Sequence, residues 1–440
     1  MIGVTAVLPF CRRRLRRPSL ALFSLLGRFS TLPAGGAVPL QVPPTEEVFR
    51  SFSDRVVKIE VQETGSAAKA SIGSGFFVSP AGHLVTNYHV VAEVVHHPDR
   101  YRAGLSFGDQ EDTNPVEILN VDVAHDLAIV KSEMSPERYF SLQEVEAPQG
   151  VRLYSLGHPL DLGLNIVEGT YNGFLKHALD QRIHFTGSLN PGMSGGPSIT
   201  TEGRVMGVNV ATAGEQVSFL VPVKWAALLL QQTLSSGFQP APLVEAVRRQ
   251  ILDYQERFVS ELLAVSPPRV KLGGFDLPTR PAPYFNCWAD ANREDGLGYE
   301  AVDHQCATDD YIFVSDELVS GQLWFYHRLL ETEELNRFQF AELYSDDFQT
   351  TYHGMGGSES EVTPFRCHTG AVREQGITFK TVFCLRRYRR LEGLYDMVFK
   401  GAVVGRPRIG LETALLASGV SFENAEALVR WYMKGFSWSE

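Results

Sequence analysis

The chain has 440 residues, 44% of them hydrophobic and 21% charged, with a formal net charge of −11. This length predicts two folded units with connecting segments, and the balance of apolar and charged residues excludes a disordered or fibrous protein. Residues 1–37 hold six arginines and no acid, so the remainder is more acidic than the whole chain. Such a surface repels phosphate, and neither nucleic acid nor anionic lipid is an expected partner.

The first predicted element is a targeting leader, residues 1–37. The basic cluster Arg12, Arg13, Arg14, Arg16, Arg17 precedes the apolar run from Ser19 to Gly27 and the small residues Ala34-Gly-Gly-Ala37. This order resembles a secretory signal peptide and predicts a periplasmic or secreted protein; an Arg-rich mitochondrial transit peptide is the alternative. The apolar run is too short to span a bilayer, and no later segment reaches that length, so no membrane span is expected in the mature chain. Residues 38–46 read as a linker.

From 47 to 236, short apolar or alternating runs are separated by turn residues, which predicts strand after strand. The runs are Val56–Val61, Gly75–Val78, His83–Thr86, Leu127–Val130, Val151–Tyr154, Arg182–Phe185, Val205–Val210 and Val217–Val221. Pro240 and Pro242 mark a boundary, opening a linker region of residues 237–274. Within it Leu243, Val247, Ile251, Tyr254, Phe258 and Leu262 recur at helical spacing, an amphipathic helix able to pack on the preceding domain. Ser266-Pro-Pro-Arg269 and Gly273-Gly274 make a second break.

Residues 275–440 mix strand-like and helical runs and read as a smaller α+β domain. Leu391, Leu394, Tyr395, Val398, Phe399 and Ala402 fit a helical stripe, and Ser421 is placed to cap a last helix reaching Lys434. Four cysteines, Cys287, Cys306, Cys367 and Cys384, fall in this region and suggest two disulfides in an oxidising compartment, with three pairings open. Their spacing does not fit a CxxC zinc site. No HExxH pattern or phosphate-binding glycine loop occurs among the remaining residues, so no metal or cofactor is expected.

The chemistry concentrates in three blocks. In Asn190-Pro-Gly-Met-Ser-Gly-Gly-Pro197 a serine sits in a glycine-rich turn between strand-like runs, where the N–H groups of Gly192 and Ser194 can converge on a developing oxyanion. Upstream, Gly73-Ser-Gly-Phe-Phe and Thr86-Asn-Tyr-His-Val90 place His89 just after a strand. Asp126-Leu-Ala128 places Asp126 at the mouth of another. A G-x-S-x-G elbow is also present at Gly192–Gly196, but a proline and a strand-turn-strand pattern come after it rather than a helix, and the histidine block lies upstream, which argues against an α/β-hydrolase.

These blocks, in the order His, Asp, Ser over residues 47–225, resemble the trypsin-fold serine proteases and, within them, the high-temperature-requirement (HtrA/Deg) group. The resemblance implies two antiparallel β-barrels with a site at their junction, Ser194 as nucleophile, His89 as general base and acid, and Asp126 as the group that orients the histidine. It implies Gly192 and Ser194 as oxyanion donors and Ser188, six before the nucleophile, at the base of the specificity pocket. A serine there predicts small or medium apolar residues on the acyl side of the cleaved bond. Met193 stands where digestive proteases carry an aspartate, so activation by a freed N-terminus is not expected. Protein or peptide substrates are implied as well. Gly296-Leu-Gly-Tyr299 resembles a PDZ carboxylate loop, but the segment 300–306 lacks that module's Gly-Asp pattern, and the loop reads as a turn. A protease-fold binding protein, catalytically weak or inactive, whose C-terminal domain captures a partner is the competing function.

Overall fold

The computed structural model describes residues 43–438 apart from 67, 108–112, 213–215, 236, 239–241, 293–297 and 351–353. The leader with its Cys11, linker residues 38–42, and Gly296 and Leu297 of the turn lie outside the described residues.

Helix α1 (Thr45–Phe52) leads into a barrel of six strands: β1 (Val56–Glu63), β2 (Lys69–Phe77), β3 (His83–Thr86), β4 (Tyr101–Ser106), β5 (Asn114–Asp122) and β6 (Leu127–Ser132). It closes in the order β1-β2-β3-β6-β5-β4, all neighbours antiparallel, with helix α2 (Tyr88–His96) between β3 and β4. A second barrel contains β7 (Arg152–Gly157), β8 (Asn165–Phe174), β9 (Ile183–Thr186), β10 (Pro197–Ile199), β11 (Val205–Thr212) and β12 (Ser218–Pro222), ordered β10-β11-β12-β9-β8-β7. Closure leaves neither sheet with a free edge. Helix α3 (Val223–Leu234) comes next. All eight apolar runs read from the sequence fall in these barrels, on β1, β2, β3, β6, β7, β9, β11 and β12.

The barrels share an apolar contact in which Phe76, Val85 and Ile129 of the first meet Tyr154, Leu156 and Val208 of the second. The second barrel has its own core of Leu153, Phe185, Met193, Met206 and Leu220.

Helix α4 (Leu243–Leu263) has the expected amphipathic stripe and bridges two cores. Val247, Ile251 and Tyr254 join a cluster containing Val57, Ile59 and Leu84 of the first barrel, while Phe258, Val259 and Leu262 enter the core of the C-terminal sheet. Gln250 fastens the helix to the first barrel: its Nε2 donates to the Val121 carbonyl at 2.7 Å and its Oε1 accepts from the Val123 N–H at 2.8 Å.

Beyond it, β13 (Arg269–Leu272) and β14 (Phe275–Pro278) form a hairpin turning at Gly273-Gly274. The chain continues through β15 (Phe285–Asn292), β16 (Glu300–Thr308), a short hairpin of β17 (Ile312–Ser315) and β18 (Leu318–Ser320), β19 (Leu323–Glu331), α5 (Arg337–Thr350), β20 (Arg366–Glu374), β21 (Ile377–Arg387), β22 (Tyr395–Val403), β23 (Ile409–Val420), α6 (Phe422–Met433) and β24 (Ser437–Trp438). Seven of these strands make one antiparallel sheet, β15-β16-β19-β23-β22-β21-β20. Ser421 caps α6, its hydroxyl accepting from the Asn424 N–H at 3.2 Å.

The helical stripe expected across Leu391–Ala402 is corrected by the structure: Tyr395–Val403 is the strand β22. It lies in the sheet interior between β21 and β23, and most of its residues are nearly devoid of solvent contact on both faces, so the run does not alternate. The disulfides join Cys287 to Cys306 and Cys367 to Cys384, each pair directly opposed on neighbouring antiparallel strands.

Candidate active site

Asp126 occupies a left-handed backbone position, φ +58°, at the turn entering β6, a conformation a non-glycine residue holds only when its surroundings dictate it. The surroundings here are Asn87, fully buried, whose Nδ2 donates to the Asp126 carbonyl at 2.7 Å. The turned residue aims its carboxylate at the start of α2. Its Oδ1 accepts from the His89 backbone N–H at 2.9 Å, and its Oδ2 lies 2.6 Å from His89 Nδ1. A carboxylate only accepts, so Nδ1 carries the proton and Nε2 is left as the basic nitrogen. Burial disfavours a charged imidazole, but the charge and hydrogen bond of Asp126, with a further contribution from Asp316, outweigh it and raise the His89 pKa above its ordinary value.

Opposite, the turn between Asn190 and Gly196 is held by groups from both barrels. Gly192 has φ +96°, and a Cβ there would stand 2.3 Å from the His158 carbonyl; at Gly195, φ +85°, it would stand 2.2 Å from the Ser74 carbonyl. Only glycine fits either position. The Met193, Gly195 and Gly196 N–H groups are spent inside the protein, on Asn190, Asn209 and Met193 carbonyls. Among the described hydrogen bonds those of Gly192 and Ser194 have no acceptor. The Pro191 carbonyl accepts from the Leu160 N–H at 2.9 Å, and in a trans peptide this turns the Gly192 N–H to the other side.

Ser74 and Asn209 are among the residues that sequence reasoning missed. Ser74, fully buried on β2, donates its hydroxyl to the Gly192 carbonyl at 2.7 Å and accepts from the His158 N–H at 2.9 Å, while its own N–H donates to the Ser194 carbonyl at 2.7 Å. Asn209 on β11 donates to the Leu156 and Met193 carbonyls, both at 3.2 Å, and accepts the Ser198 hydroxyl at 2.7 Å. The serine of Gly73-Ser-Gly75 is visible in the sequence, but nothing there links it to a turn 118 positions away. Behind Leu160, Asp161 receives Lys69 at 2.6 Å and Lys58 at 2.9 Å, and both lysines also pair with Glu60.

His89 and Ser194 line one cleft of about 310 Å³ at the barrel junction, with Ile72, Leu189, Gly192 and Val210. The His89 side chain keeps 28% of its surface open to solvent. The structure thus brings His89, Asp126, Ser194 and Gly192 together. The Ser194 hydroxyl donates to the Val210 carbonyl at 3.4 Å, and among the described hydrogen bonds none joins it to His89. Ser188 is exposed and does not line this cleft; its neighbour Leu189 does. Met193 is fully buried in the core of the second barrel. His125 bonds Asp122 at 2.7 Å and stacks on Trp225 at 3.9 Å, as a loop residue outside the cleft.

Comparisons with known proteins agree with this architecture. The family model for the trypsin-like peptidase domain matches residues 73–208. An uncharacterized protein of Sinorhizobium fredii is 34% identical over 173 residues, 38% of this chain and 25% of that protein. A probable periplasmic serine endoprotease, DegP-like, of Bartonella henselae is 26% identical over 224 residues, covering 48% of this chain and 42% of the relative. The mitochondrial serine protease HTRA2 of Drosophila ananassae is 27% identical over 202 residues, 42% of this chain and 46% of the relative. The chain therefore spans less than half the length of these relatives. Residues 73–208, which take in strands of both closed barrels, match the trypsin-like peptidase domain, and this part of the chain is similar to HtrA-like serine proteases.

Proposed function

We propose that the chain is a serine endopeptidase in which Ser194 attacks the scissile carbonyl, His89 takes the hydroxyl proton on Nε2 and returns it to the leaving amine, and Asp126 fixes the tautomer and stabilises the imidazolium. The observation that carries this reading is the Asp126–His89 bond facing, across one cleft, a serine whose own N–H and that of Gly192 have no acceptor among the described hydrogen bonds. Those of Gly192 and Ser194 would bind the oxyanion, where preorganised donors contribute most. Hydrogen bonds between nucleophile and base often tighten only once substrate is bound, so the resting contact of Ser194 with Val210 is compatible with catalysis. The raised pKa of His89 implies that activity falls on acidification at a higher pH than free imidazole would dictate, because only the neutral ring accepts a proton.

Ile72, Leu189 and Val210 give the cleft an apolar lining, and Leu160 on the adjoining turn is exposed, which supports a preference for apolar side chains on the acyl side of the cut. Cleavage of a peptide library mainly after Arg or Lys would overturn that preference. The substrates we infer are unfolded or exposed protein segments outside the cytoplasm. The Arg-rich leader and the paired cysteines support a periplasmic, extracellular or mitochondrial setting.

The Ser194–Val210 contact is also what favours the competing reading, a protease fold that binds without cutting. A fluorophosphonate probe separates the two. Labelling of the native chain at Ser194, abolished in Ser194→Ala and strongly reduced in His89→Ala, is expected; a native chain that stays unlabelled refutes the endopeptidase.

A further inference from the structure

The hairpin β17–β18 reaches the helix that carries His89 from the C-terminal region, outside the segment shared with the peptidase family model. Ile312, Val314 and Leu318 are buried in the same apolar cluster as Tyr88, Val90, Val91 and Val95 of α2, which seats the hairpin firmly on the first barrel. Between the two buried strand residues, half-buried Phe313 lies with its ring centre 5.9 Å from the His89 imidazole at 63°, and 6.4 Å from Tyr88 at 74°. Both are edge-to-face geometries of attractive aromatic pairs. The turn of the hairpin then presents Asp316, whose carboxylate acts on His89 and on Glu93 of the same helix.

The Asp126 carboxylate accepts from the His89 backbone N–H and lies against Nδ1, which holds one edge of the ring and leaves its faces and its Nε2 edge to other contacts. With the Ser194 hydroxyl resting on Val210, the imidazole must hold its place until the hydroxyl turns toward it. A lateral ring contact supplies that constraint.

We propose that the β17–β18 hairpin completes the active site: Phe313 is a positioning residue that holds the His89 ring in line, and the hairpin turn sets the Asp316 carboxylate against the helix that carries His89. This rests on the reading of His89 as general base. Of the charged groups, Asp126 is hydrogen-bonded to the ring, and Asp316 stands in the hairpin turn beyond Phe313. Asp316 in turn shares a cavity of about 300 Å³ with Glu93, His97, Glu361 and Arg390. The C-terminal region is then no independent appendage, since the peptidase domain without it lacks one wall of its histidine.

The test uses the full chain carrying Phe313→Ala, Phe313→Tyr or Asp316→Asn. Hydrolysis of a chromogenic peptide is followed across pH, and His89 is titrated by NMR of ring-labelled histidine, its signal assigned with His89→Gln. Phe313→Ala is expected to lower kcat by roughly 2- to 10-fold, the rate equivalent of one aromatic contact, with KM little changed, and Phe313→Tyr to restore it. Asp316→Asn is expected to move the acid limb of kcat/KM, and the His89 titration, to lower pH. Native kcat in Phe313→Ala together with an unmoved His89 titration in Asp316→Asn overturns the proposal, as does a loss in Phe313→Ala that Phe313→Tyr shares. The NMR titration needs no turnover, so it decides the hairpin's influence on His89 even for a chain that fails to label with fluorophosphonate, a result that would sink only the endopeptidase reading.

Discussion

Replacing Ser74 with alanine probes the turn without touching any group that meets substrate. Its hydroxyl serves the Gly192 carbonyl at 2.7 Å and the His158 N–H at 2.9 Å from a site closed to solvent. The His158 contact is fully buried, and a buried donor left without an acceptor costs about 1–3 kcal/mol; the Gly192 carbonyl is partly reached by water and adds less. A total of about 2–3 kcal/mol is expected, a sizeable share of the roughly 5–15 kcal/mol that holds a domain folded. The consequence for rate is separate. Loss of one oxyanion donor lowers kcat by about 10²–10³, and Ser74→Ala only loosens the peptide that aims Gly192, so kcat should fall by roughly 10- to 100-fold with KM nearly unchanged. Urea unfolding followed by tryptophan fluorescence reads the first quantity and initial rates on a chromogenic peptide read the second. A folded Ser74→Ala with the native kcat would show that the Gly192 carbonyl does not need this anchor, and the argument from the hydrogen-bond pattern would be wrong.

Asp126→Asn should retain the fold and reduce kcat by about 10⁴, because an amide at this position cannot hold the same imidazole tautomer; near-UV circular dichroism and initial rates check both halves. Asp161→Ala should give a smaller loss of kcat than Ser74→Ala, since it releases only the ion cluster behind the Leu160 turn, and equal losses would refute that ranking. Gly195→Ala, with its Cβ 2.2 Å from the Ser74 carbonyl, should abolish activity and lower the melting temperature together. For pH, burial depresses the pKa of fully buried His327 to about 3, so between there and the ordinary imidazole value the unfolded chain binds a proton that the folded chain refuses. Stability should therefore decline as pH drops through this window, and urea midpoints measured across it should flatten in His327→Phe. Buried Glu412 runs the other way: burial raises its pKa to about 8, the folded state keeps its proton longer, and stability should fall as pH rises from the usual carboxylate range through 8, an arm that Glu412→Gln removes.

The three blocks of the candidate site were legible because each is contiguous: His89, Asp126 and Ser194 sit among neighbours that themselves form the turn or strand end presenting them. Strands such as β1 and β11 were legible by their apolar runs. What the sequence concealed lies in pairings between distant positions. Ser74 reaches Gly192, Asn87 reaches Asp126, and Phe313 reaches His89, none of which leaves a local pattern. The cysteine pairing was one of three options until the registers of β15 with β16 and β20 with β21 set the partners face to face. The run Leu391–Ala402 misled because a strand covered on both faces loses its two-residue alternation, and its apolar positions then fit a helical period by coincidence.

The two disulfides occupy corresponding places: β15 and β20 are the outermost strands of the seven-stranded sheet, and each is bonded to the strand just inside it. On the proposed reading of the chain as an endopeptidase, a border strand that peeled away would present the stretched, unpaired backbone that such an enzyme cuts. One covalent bond near the start of each border strand, at Cys287 of β15 and Cys367 of β20, ties it to its inner neighbour and restrains peeling from that end, which would deny self-digestion one entry into this half of the molecule.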